Sequence, residues 1–103
     1  MAQRVLRIEG LPEAALDAAA AFHAEWLPKA RVVLGTVDQL VLSFPTESYD
    51  HRGWRLAAVQ DLARAAAPKR VNGIVGDEET ALDETVAWLA TAPGVTGQLL
   101  ATR

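Results

Sequence analysis

Leu40-Val41-Leu42-Ser43-Phe44 constrains the fold more than any other stretch of the chain, being an almost continuous apolar run closed by Pro45. A strand with one wet face alternates polar and apolar residues, so an unbroken run of this length belongs to a strand covered on both faces. Helices must therefore pack above and below it, and the segments around it are read as parts of a layered α/β structure.

Upstream, Arg4-Val5-Leu6-Arg7-Ile8-Glu9 alternates and stops at Gly10, which predicts a short strand at a sheet edge. Pro12 and Glu13 suit the first turn of a helix. Leu16, Ala20, His23 and Leu27 follow at helical spacing, with Ala15, Ala19, Phe22 and Trp26 as a neighbouring stripe, so the expected buried face is wide. Pro28 predicts a kink, with the helix continuing through Leu34; Val32-Val33 leave a short strand as the alternative, and Gly35 ends the element either way.

Downstream, Thr46 to Gly53 reads as a polar turn. Leu56, Val59, Leu62, Ala63 and Ala66 trace a helix that stops before Pro68. Val71, Ile74 and Val75 form a third strand ending at Gly76. Asp77 is the expected N-cap of a last helix, with Glu78 and Glu79 in its first turn and Leu82, Val86 and Leu89 on its inner stripe. Pro93-Gly94 breaks that helix, and Thr96 to Ala101 is the expected closing strand. The order β-α-β-α-β-α-β predicts about four mostly parallel strands with about three helices, in one domain over residues 1–103.

Composition removes several function classes. The net charge is −3, and its eight arginines and two lysines are scattered, leaving no basic stripe to neutralise phosphates; nucleic acid is not an expected partner. The absence of cysteine excludes disulfides, thiolate nucleophiles and cysteine metal sites. The charged N-terminal segment resembles neither a signal peptide nor a membrane span, so a cytoplasmic chain without a membrane partner is expected.

Two segments carry a resemblance. Leu62-Ala63-Arg64-Ala65-Ala66-Ala67-Pro68 followed by Arg70-Val71-Asn72-Gly73-Ile74 is similar to a helix and strand of the short-chain dehydrogenases. Val86-Ala87-Trp88-Leu89-Ala90 followed by Val95-Thr96-Gly97-Gln98-Leu99-Leu100 resembles that family's last helix and strand, including its Thr-Gly-Gln. Together they cover about the second half of the chain. The resemblance implies a Rossmann-like half-domain with sequential strands. Right-handed crossovers in that order would place every helix on one face, but the family's last crossover is left-handed, which implies that the final helix lies on the other.

The departures bear on chemistry. The family holds its dinucleotide on a Gly-rich turn after its first strand, where backbone N–H groups approach the pyrophosphate. Here the one glycine near the front, Gly10, is followed by Leu11-Pro12. Counting back from Leu62-Ala63, the family's catalytic tyrosine falls at Ser48 and its lysine at Arg52, and its Pro-Gly beside the nicotinamide is replaced by Gly76-Asp77. Neither a catalytic residue nor a cofactor is expected, and NAD and NADP are expected not to bind.

Tyr49, His51 and Arg52 form the candidate loop site, at the exit of the central strand; the alternative is a solvated loop in which Ser48 or Asp50 caps the next helix. His23 is expected to be partly buried and hydrogen-bonded. The carboxylates Asp77, Glu78, Glu79, Asp83 and Glu84 are read as a helix start, and no metal site is expected. Trp54, Trp88, Val95 and Leu99 are the candidate interface, the last three because the resemblance implies subunit contact through the closing helix and strand, and Trp54 as an aromatic residue on a helix. The leading expectation is thus a non-catalytic module that forms a homodimer or binds a protein partner. The alternative is a small-molecule enzyme or ligand sensor using Tyr49, His51 and Arg52.

Overall fold

A computed structural model describes residues 2–102. Among them, β1 (Gln3–Arg7), β2 (Gln39–Phe44), β3 (Arg70–Val75) and β4 (Leu99–Ala101) form one parallel sheet in the order β1-β2-β3-β4. Every residue of β2 is buried, as its apolar run demands, with Val41 opposite Val5 on one side and Asn72 on the other. The edges are β1, as predicted, and β4.

Side chains alternate across the sheet, so the two faces read as two separate cores. Leu40, Leu42, Phe44 and Val71 meet Phe22, Ala30, Leu34, Val59 and Leu62 on one face. The helices there are α1 (Ala15–Ala21) and α2 (Leu27–Leu34), which connect β1 to β2, and α3 (Arg52–Ala66), which connects β2 to β3. On the other face Val41 and Ile74 meet Leu82 and Leu89 of α4 (Glu79–Ala90), the connection from β3 to β4. All three crossovers step the same way across the sheet. With its helix on the opposite face, the last therefore has the opposite hand to the first two, as the resemblance implies.

Between α1 and α2 the rod is continuous through a π turn, Phe22–Trp26, so residues 29–34 are helical rather than a strand. The inward positions run Ala18, Phe22, Trp26, Ala30, Leu34, four residues apart, all buried but the half-buried Trp26. On a regular α-helix that spacing drifts by about 40° per step, and the wider π turn takes up part of the drift. It also sits where Pro28 has no N–H to return to the preceding turn. Of the two stripes expected to form a wide inner face, the one through Leu16 is mostly outside, with Leu16 84% exposed, while the one through Phe22 and Trp26 faces the sheet. Phe22 directs the rod instead, its ring centroid 5.5 Å from that of Trp54 and 6.0 Å from that of Phe44. His23 is hydrogen-bonded to the Ala19 carbonyl at 2.8 Å, but is exposed.

The last helix begins one residue later than expected. Glu78, not Asp77, is the N-cap, accepting the N–H groups of Thr80 and Ala81 at 3.0 and 2.9 Å. Asp77 is taken by another partner, accepting the Thr46 N–H at 3.1 Å and thereby joining the exits of β2 and β3. The closing strand is also shorter than predicted, starting at Leu99. Gly97 adopts φ +74°, open to glycine at little cost, and the Gln98 N–H is claimed by the Asn72 side chain.

Candidate functional site

The carboxyl ends of the four strands lie together, the place where open α/β sheets present ligand-binding loops. On the α3 side a cleft of about 170 Å³ opens there, lined by Glu47, Ser48, Tyr49, His51, Arg52, Arg55, Val75, Leu99 and Ala101. The expected trio of Tyr49, His51 and Arg52 does gather around one space, but not as an exposed cluster. Residues Tyr49–His51 form a 3-10 turn leading into α3, and this turn points Tyr49 and Arg52 to solvent while turning His51 inward.

His51 is 2% exposed. Its Nδ1 accepts the Trp54 indole N–H at 3.2 Å, and its Nε2 lies 2.8 Å from the Glu13 carbonyl oxygen. An indole nitrogen can only donate and a carbonyl can only accept, so the pair of bonds calls for the neutral tautomer protonated on Nε2. No lone pair on the ring is left free for a substrate proton. The expectation of a solvated loop is corrected at this residue, whose contacts tie the entry of α1 to the start of α3. The expected side-chain cap is not formed either, because the Ser48 hydroxyl donates to the Asp50 carboxylate instead. That bond holds the Asp50 carboxyl below its ordinary range, its own backbone N–H adding to the effect and slight desolvation opposing it.

Arg55, one turn further along α3, was not anticipated. It is 4% exposed, its Nη1 donates to the Pro45 carbonyl at 2.9 Å, and its guanidinium carbon lies 4.8 Å from the Phe44 ring centroid. Burial pushes the guanidinium below its ordinary value while the Glu47 carboxylate opposes the shift. A signal was present in the sequence: Arg55, Val59 and Leu62 share one helical stripe at i, i+4 and i+7.

The opposite face carries a second cleft, of about 210 Å³, bordered by Arg7, Ser43, Asp77 and Leu82. Arg7, on its rim, pairs with Glu79 at 3.3 Å, both exposed. Among the described residues no three His, Asp or Glu side chains converge to hold a metal, and no helix is long and apolar enough to cross a membrane.

Behind the clefts, the two resemblance segments form one hydrogen-bonded unit. Arg70 Nη1 donates to the carbonyls of Leu89, Ala92 and Val95, closing the carboxyl end of α4 with a cation. Thr96 Oγ1 accepts the Val71 N–H at 3.1 Å, and Gly97 N–H donates to the Val71 carbonyl at 2.7 Å. At Gly73 a Cβ would lie 2.8 Å from Leu99 Cδ1 and 2.9 Å from Val59 Cγ2, so only glycine lets α3 and β4 approach this closely. A model of the family of short chain dehydrogenase-like proteins matches residues 6–102.

The chain belongs to that family.

The match extends the resemblance from the second half to nearly the whole length of this short chain dehydrogenase-like chain. Comparisons with curated proteins and with solved structures gave no significant match. Of the candidate interface residues, Trp54 is partly buried between Phe22 and Phe44, Val95 packs beneath α4 and Leu99 packs against the α3-side core. Trp88 is 53% exposed.

Proposed function

We propose that this short chain dehydrogenase-like chain is a non-catalytic association module of the cytosol, forming a homodimer through α4 and β4. The observation that carries the reading is Trp88, a large apolar side chain left 53% exposed on the one helix that covers its face of the sheet. Indoles are enriched at the centres of interfaces, where a single one can contribute on the order of 2 kcal/mol. A second open feature is β4, an edge strand, and proteins seldom leave such an edge without cover. The family resemblance points to the same surface. The non-catalytic part is supported by His51, whose ring nitrogens are both engaged in packing, and by the replacement of the family's tyrosine and lysine by Ser48 and Arg52.

Sedimentation of Trp88→Ala beside the unaltered chain tests the surface. The variant is expected to keep its fold, because Trp88 lies outside both cores, and to weaken self-association by tenfold or more, the equivalent of about 1.4 kcal/mol. An unchanged association constant would place the contact elsewhere.

A further inference from the structure

Arg55 is a buried cation that the packing of the chain does not account for. Its Nη1 has one carbonyl partner, Pro45, and its Nε has none among the described residues. Among those residues no carboxylate comes within ion-pair distance of it. Stacking on Phe44 and, at 5.8 Å, near Trp54 offsets part of the lost hydration, but a buried charge without a counter-charge is costly. The same side chain borders the 170 Å³ cleft, which it shares with Arg52 one helical turn away. The far wall of that cleft is apolar, made by Val75, Leu99 and Ala101.

We propose that the cleft binds a small aliphatic carboxylate, its anionic head on Arg55 and Arg52 and its hydrocarbon part against Val75, Leu99 and Ala101. An arginine fork matches the planar geometry of a carboxylate and can meet it with two parallel hydrogen bonds. The volume is well below the roughly 300 Å³ at which sites for drug-sized ligands begin, which limits the occupant to a short chain. With Glu47 on its rim, the two arginines leave the cleft about one net positive charge, which a single carboxylate neutralises. The charged head groups lie on α3, but Leu99 and Ala101 belong to β4, which the proposed dimer also uses, so hexanoate is titrated into Trp88→Ala as well, where self-association is weakened.

Titration with sodium hexanoate at constant ionic strength, followed by amide resonances, is the test, with hexanamide and inorganic phosphate as parallel probes. Saturable shifts at Tyr49, Arg52, Leu99 and Ala101 are expected from hexanoate, with hexanamide about tenfold weaker for want of the charge. Arg52 is exposed, so Arg52→Gln should fold and bind hexanoate several-fold more weakly, whereas Glu47→Gln should bind it more tightly. Equal binding of acid and amide, phosphate binding as tight as hexanoate, no effect of Arg52→Gln, or shifts that fail to saturate would each overturn the proposal.

Discussion

The Asn72 side chain holds the turn that delivers the last strand, its Oδ1 accepting the Gln98 backbone N–H at 3.0 Å while its Nδ2 donates to the Val95 carbonyl at 3.0 Å. Asn72 is buried on β3, so both bonds are formed at least partly out of water. Asn72→Ala leaves the Gln98 N–H without its partner, leaves the Val95 carbonyl with Arg70 alone, and removes packed atoms. The expected cost is about 2–3 kcal/mol, measured by urea denaturation. A loss under about 0.5 kcal/mol would mean that the turn forms without this side chain.

Tyr49 and His51 are two residues apart and should respond oppositely. Tyr49 is 85% exposed, so Tyr49→Phe should change stability by no more than about 0.5 kcal/mol, and Arg52→Lys likewise. His51→Ala strips partners from the Trp54 indole and the Glu13 carbonyl and opens a void beside the core, with an expected loss of about 2 kcal/mol or more. The same denaturation experiment reads all three.

The acid side of the stability curve should depend on Glu78. Its carboxylate accepts the Ala81 and Thr80 N–H groups, and these bonds hold it below the ordinary glutamate value. A depressed carboxyl contributes stability that is present above its unfolded pKa and lost as the pH falls through its folded one. Glu78→Gln keeps an oxygen acceptor but cannot titrate, so its melting temperature should fall less between pH 5 and pH 3 than that of the unaltered chain, to the extent of this one exposed group. Parallel slopes in scanning calorimetry would contradict this.

Nicotinamide cofactors should not bind. The Gly-rich turn has no counterpart near Gly10, and Gly76-Asp77 stands where the family has Pro-Gly, with Asp77 committed to the Thr46 N–H. Isothermal titration with NAD and NADP, oxidised and reduced, is expected to give no saturable heat. A dissociation constant in the low micromolar range would contradict the reading.

What was legible in the sequence was the part fixed by local pattern. The apolar run at Leu40–Phe44 could only be a doubly covered strand, and Leu82, Val86 and Leu89 could only face a sheet; from these the parallel order followed. On the first helix the stripe through Phe22 and Trp26 was legible as inner, but not the outward turn of the Leu16 stripe, because the rotation of the rod answers to Phe44 and Trp54 across the core rather than to its own neighbours. The start of α4 was displaced for a similar reason, Asp77 finding a partner on another loop. At the candidate site the three residue positions were legible but not their directions: a 3-10 turn sends His51 inward and Tyr49 outward. Arg55 was passed over because arginine on a helix is ordinarily solvated.

The mass of the chain in solution tests the central claim most directly. Light scattering at about 100 µM is expected to give twice the 11.0 kDa of a single chain, with an interface that buries about 800 Å² per subunit if it is of standard size. A mass of 11.0 kDa at that concentration would contradict the account of α4 and β4 as an association surface.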